Sequence, residues 1–237
     1  MKVERGARLA VFLKRFASAH GADMVGIASA KSFSGAPKGH RPGDLLKGAE
    51  SVVVMAMALP AAAFERAPSR EYFMSYVVAN RELDTIAFKT AKYLQRKGFR
   101  AIHVPASPPY DMVEMMGDMS HRHAGYLAGL GVFGKNSLLL SPEYGARMRL
   151  VSVITDAVLE PDGTLDIDLC RECTRCIKVC PAKALKGSGI VDKPACNDHP
   201  VGVGRQLQMD DWEQICGVCI RVCPVGRTES RKKLGKK

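Results

Sequence analysis

Apolar positions recur along this chain with two different periods, and the alternation between them predicts helices and strands in one α+β fold. Residues 5 to 20 place Leu9, Val11, Phe12, Phe16 and Ala19 at helical spacing before Gly21, which predicts an amphipathic first helix. Met24 to Ala28 and Ser51 to Ala58 are short apolar runs with β-branched residues. The second, SVVVMAMA, is continuous enough for a strand buried on both faces. Between them, Ser32 to Gly48 is rich in Gly, Pro and Lys and reads as a loop. From Arg70 to Lys97, the positions Tyr76, Leu83, Ile86, Ala87, Ala91 and Leu94 suit a long helix or a pair of them, stopped by Gly98. Ala101 to Val104 predicts a strand that the proline-rich ASPPY ends, Ser120 to Leu130 a helix, and Arg149 to Thr155 a further strand.

After Asp162-Gly163 the composition changes, because every cysteine of the chain lies between 170 and 223. This places a domain boundary near 160. The expected organisation is an α+β domain over 1–160, a cysteine module over 161–226 and a basic tail over 227–237.

A chain of 237 residues with 46% hydrophobic and 25% charged positions is long enough to bury a real core. No apolar run approaches the ~20 residues of a membrane helix, since VVVMAMAL stops at Pro60, so no membrane partner is expected. The first residues carry charge in every turn, with neither a signal-type apolar core nor a twin-arginine pair, which makes the expected location cytoplasmic. The formal charge of +11 invites a polyanionic partner such as RNA. Eight thiolates holding two iron–sulfur cores of charge +2 would remove four of those charges and leave +7. Much of the excess lies in the tail after Arg227, where a solvated chain end is the plainer reading.

The cysteines carry the strongest chemical signal. Cys170, Cys173, Cys176 and Cys180, followed by Pro181, form the C-x2-C-x2-C-x3-C-P run of bacterial ferredoxins. In that run three thiolates hold corners of one 4Fe–4S cluster and the fourth reaches the other cluster. Cys216, Cys219 and Cys223 with Pro224 make a second, shorter version, in which Glu213 stands where its first cysteine would be. Cys196 is the remaining cysteine. One cluster then takes Cys170, Cys173, Cys176 and Cys223, and the other takes Cys180, Cys196, Cys216 and Cys219. A zinc site is the competing metal, but zinc is usually held by two separated pairs. A buried free thiol is the competing reading of Cys196. Two clusters in one fold imply single-electron relay.

LAGLGVFGKNS, residues 127 to 137, holds Gly129, Gly131 and Gly134 in the G-x-G-x-x-G spacing of a dinucleotide-binding turn. That turn needs a strand before it and a helix after it. Here a helix precedes it, and Pro142 and Gly145 leave no room for a helix to follow. The glycines instead let backbone approach something flat and bulky, or make a tight helix-to-strand turn. The segment NDHPVG, 197 to 202, has Asn197 where a cobalt-ligating D-x-H-x-x-G motif has Asp.

SHRHAGYLAGLGVFGKNSLLLSPEYGARMRLVSVITD followed by CRECTRCIKVCP resembles the shared core of epoxyqueuosine reductases and corrinoid-dependent reductive dehalogenases. GADMVGIA, RPGDLLKGAESVVVMAMAL and YLQRKGFRAIHVPAS are similar to that family in type and order. The resemblance implies a nitroreductase-like, cobalamin-binding α+β domain followed by a ferredoxin-like domain with two 4Fe–4S clusters. It implies that Gly129, Gly131, Gly134, Lys135 and Asn136 line the corrinoid pocket, and that cobalamin binds base-off without a protein ligand. For the proton donor it implies Asp118, with Tyr144 as the alternative, and His121 and His123 are further candidates. The expected partners are a low-potential electron donor and a small-molecule or tRNA substrate. The alternatives are a ferredoxin-like electron-transfer protein without cobalamin, or an RNA-associated factor that uses its basic tail.

Overall fold

Ala10, Leu13 and Ala17 recur every three or four residues on the first helix, α1 (Lys2–Ala19), and all three are buried. The computed structural model describes residues 2–107, 115–206 and 216–226. Glu213, the proline-rich residues 108–110 and the basic tail lie outside them. The chain divides into two compact units, one formed by 1–57, 79–131 and 149–166, the other by 58–78, 132–148 and 167–237. The unit that carries the cysteines thus also takes in two earlier segments.

The first unit is built on a four-stranded sheet in the order β1-β2-β6-β3, from β1 (Met24–Ser29), β2 (Ser51–Ala58), β3 (Ala101–Val104) and β6 (Met148–Thr155). Strands β1 and β2 pair antiparallel with Ile27 opposite Val53, and β3 and β6 pair antiparallel with His103 opposite Val153. The central pair is bonded at its ends by Glu50 N–H to Thr155 O and by Leu59 N–H to Arg147 O, each 2.9 Å, so those strands also run in opposite directions.

One face of the sheet, with Ile27, Val53, Met55, Val151 and Val153, packs against α1 and the 27-residue helix α3 (Arg70–Arg96) through Leu13, Leu83, Ile86 and Leu94. Each such side chain removed from water contributes roughly 1.5–3 kcal/mol. Val52, Val54 and Ile154 on the opposite face are buried as well. The apolar run of β2 therefore has the environment that its lack of alternation predicts.

The predicted helix over 120–130 is shorter, α4 (His121–Leu127). Ser120 caps it by accepting the His123 N–H, and the backbone turns left-handed at Gly129, with φ +71°. The loop between β1 and β2 holds the four-residue helix α2 (Pro42–Leu45), capped by Asp44 accepting from the Arg41 N–H. Among the described residues, no helix is long and apolar enough to cross a membrane.

In the second unit, β4 (Val132–Phe133) and β5 (Leu139–Leu140) form a small antiparallel hairpin. The cysteine segment adds the short helices α5 (Arg175–Lys178) and α7 (Val218–Arg221), with α6 (Lys193–Gln206) between them. Asp192 starts α6 by accepting the Ala195 N–H at 3.1 Å.

Candidate iron–sulfur centre

The first thiol group is assembled from turns rather than from regular elements. Asp168 accepts the N–H groups of Cys170 and Arg171 at 2.9 and 3.0 Å, and Cys173 N–H closes a turn onto Cys170 O. These bonds fold the loop so that Cys170, Cys173 and Cys176 face the same way. Cys223, from the far end of the module, completes the group. The four thiols line one small cavity, together with Asn136, Leu140 and Val225.

Leu140, Ala146 and Cys223 form a buried apolar cluster with Leu138, Leu169 and Ile220 packed on it. This side of the cavity is therefore of low polarity. Burial pushes the Cys223 thiol up, opposed by the Val225 N–H and by the charge of Arg147. Burial also raises Cys176, and the neighbouring Cys170, Cys223 and Cys173 raise it further.

The remaining cysteines make a second group. Burial drives the Cys219 thiol up to about 12, with Cys216, Cys196, Cys176 and Cys180 adding to the shift. Cys216 is raised by burial and by Cys180. Cys196 on α6 is exposed, which removes the reading of it as a buried free thiol.

The donor set fits the cofactor. Four soft thiols lining one cavity suit an iron–sulfur cluster. Burial holds the protons on Cys176, Cys216, Cys219 and Cys223 more firmly than on a free thiol, so iron must displace them on binding.

Two residues of the glycine segment, Lys135 and Asn136, approach this centre. Lys135 N–H donates to Cys170 Sγ at 3.4 Å, and its ammonium group donates to Arg171 O. Asn136 is buried, lines the cavity and accepts the Leu138 N–H at 3.3 Å. A Cβ on Gly134 would stand 2.6 Å from Leu140 Cδ1, and one on Gly129 would stand 2.6 Å from Gly163 O. Gly131 is buried.

The proton-donor candidates occupy different settings. Asp118 is exposed, and its carbonyl oxygen accepts from the His40 ring at 3.1 Å. Tyr144 is half-buried, and its N–H donates to Ser141 Oγ at 2.8 Å. His121 has both ring nitrogens engaged: Nε2 donates to Pro105 O and Nδ1 accepts from Ser152 Oγ, each at 2.8 Å. Burial holds it below its ordinary value, opposed by its bond to the Pro105 carbonyl. His123 is exposed, and its Nδ1 lies 2.9 Å from Ser120 Oγ.

Arg147 is the residue that sequence reasoning passed over. Its buried guanidinium group donates to the carbonyls of Cys223 and Val225, the latter at 2.6 Å. The available signal was a charged position, YGARMRL, at the edge of an otherwise apolar strand.

Residues 169–226 match the family of 4Fe-4S double cluster binding domains. The chain is thus an iron–sulfur protein with a two-cluster domain. Over 194 residues, 78% of this chain and 51% of the relative, it is 29% identical to the epoxyqueuosine reductase of Listeria monocytogenes. Its fold matches that of an epoxyqueuosine reductase solved with an epoxyqueuosine-modified tRNA-Tyr stem loop, at TM-score 0.66 and 22% identity, covering 93% of this chain and 66% of that one. It also matches a B12-dependent reductive dehalogenase at TM-score 0.77 and 22% identity, covering 98% of this chain and 34% of that one. In sequence and in fold the chain thus resembles the epoxyqueuosine reductases. It spans about half or less of the length of the curated epoxyqueuosine reductases it matches.

Proposed function

We propose that the protein is a reductase that passes single electrons through two 4Fe–4S clusters to a base-off cobalamin, which serves the reduction of a substrate. The observation that carries this reading is the gathering of Cys170, Cys173, Cys176 and Cys223 around one cavity, within a segment that matches the 4Fe-4S double cluster binding domains. Bound clusters supply one-electron transfer, and bound cobalamin supplies the reducing chemistry at the substrate.

The protein's own residues hold and insulate these groups. Cys170, Cys173, Cys176 and Cys223 hold one cluster, and Cys180, Cys196, Cys216 and Cys219 the other. The apolar residues Leu140 and Ala146 keep water from the first. Gly129, Gly131, Gly134, Lys135 and Asn136 are the proposed corrinoid-binding residues, and Asp118 or Tyr144 the proton donor. This part rests on the likeness to the epoxyqueuosine reductases and the dehalogenase fold. A nitroreductase-like domain over 1–160 and a ferredoxin-like domain over 161–226 are part of the same reading.

The proposed substrate class is epoxyqueuosine-bearing tRNA, because the curated relatives carry that activity in their names. A low-potential donor supplies the electrons. The test is anaerobic: reconstitute the clusters, add cob(II)alamin, and record the EPR spectrum with and without an epoxyqueuosine-modified tRNA stem loop. A base-off signal, and reduction of the modified base under a low-potential reductant, are expected. Reducible clusters with a cobalamin spectrum unchanged from the free cofactor would make the protein an electron carrier instead.

A further inference from the structure

Arg147 lies at the point where the last cysteine joins the first cluster group, and the cluster-binding reading does not use it. Its side chain is buried, with only 6% of its surface exposed. One guanidinium nitrogen donates to Cys223 O, and the other donates to Val225 O at 2.6 Å and to Tyr144 O at 3.5 Å. The same turn is pressed against the residues after Cys223. A Cβ on Gly145 would stand 2.1 Å from Val225 O, and one on Gly226 would stand 2.2 Å from Gly145 N. The backbone from Cys223 to Gly226 is therefore held by residues 144–147.

We propose that Arg147 is a positioning residue for the cluster held by Cys170, Cys173, Cys176 and Cys223, fixing Cys223 as its distant ligand and making that cluster easier to reduce. The inference rests on the two-cluster reading above. Three cysteines of this group follow one another closely, so their loop brings them together locally. Cys223 comes from far along the chain, and its approach needs a tertiary tie. The fork of Arg147 supplies one by binding two carbonyls of that segment at once.

The electrostatic part follows from charge. A 4Fe–4S core with four thiolates carries net negative charge, and accepting one electron from a low-potential donor adds another without making or breaking a bond. A fixed cation in a low-polarity surrounding favours the more negative form and raises the potential. Leu140, Ala146 and Ile220 provide that surrounding.

The test compares reconstituted wild type, Arg147→Gln and Arg147→Lys by iron content and by redox titration followed by EPR. Cys219→Ser, which removes a ligand of the other cluster, assigns the two potentials. Arg147→Gln should shift the potential of the Cys223 cluster to more negative values and leave the other unchanged, with Arg147→Lys nearer to wild type. Loss of that one cluster from Arg147→Gln but not from Arg147→Lys would also support the assignment. Unchanged potentials in Arg147→Gln at full iron content, equal shifts in both variants, or loss of the cluster from both would overturn it. A wild type that does not hold two clusters would instead remove the reading on which the inference rests.

Discussion

Cys176 and Cys223 face the same cavity, although one belongs to the first cysteine run and the other to the last. The thiols are therefore shared between the runs, as the ferredoxin spacing requires. Cys223→Ser should lose the first cluster and keep the second, lowering the iron from about eight to about four per chain. Cys196→Ser should spare the first cluster and impair the second. Iron analysis with EPR of the reduced variants separates these outcomes from a simple division into Cys170–Cys180 and Cys196–Cys223.

The close approach between residues 144–147 and 223–226 makes Gly145 sensitive. Its φ is +58°, and an added methyl group would meet the Val225 carbonyl at 2.1 Å. Gly145→Ala should cost on the order of 1–3 kcal/mol through overpacking and left-handed strain. The clash lies next to the Cys223 segment, so the visible cluster absorbance should decay faster in air than in wild type. Thermal unfolding and the decay rate measure the two effects.

Gly129 tests what the G-x-G-x-x-G spacing is for. Its left-handed backbone and its approach to Gly163 O account for a glycine there on packing alone. Gly129→Ala should lower stability by roughly 1–3 kcal/mol and leave iron content unchanged. Denaturant unfolding and iron analysis of the variant check this.

The strands and long helices were legible because each carries a sustained period: β2 as an unbroken apolar run, α3 as a face of Leu83, Ile86 and Leu94. The two-cluster domain was legible because the C-x2-C-x2-C-x3-C-P spacing is local information. The β4–β5 hairpin was not, since two residues per strand are too few to show alternation. Nor was the membership of 58–78 and 132–148 in the cysteine unit, because long-range packing leaves no periodic mark. Arg147 was missed for the same reason: its two carbonyl partners come from the far end of the chain. Asp118 and Tyr144 were named by resemblance, and their hydrogen bonds to His40 and Ser141 had no signature in the pattern.

His121 makes stability depend on pH. Burial lowers its folded value below the ordinary 6.5, so the unfolded chain binds its proton first. Stability is then present above about pH 6.5 and falls as the pH drops below it, by at most about 1.4 kcal/mol per pH unit for this one proton. His121→Gln should flatten that slope between pH 7.5 and 5.5 while lowering stability at pH 7.5. Denaturant midpoints of reconstituted wild type and variant across the range give the comparison.

The most direct measurement is the iron and acid-labile sulfide content of the full chain after anaerobic reconstitution, with the EPR spectrum of the reduced protein. The account predicts about eight iron and eight sulfide per chain and signals from two reduced 4Fe–4S clusters. Zinc in place of iron, no labile sulfide, or a single cluster of about four iron would contradict it.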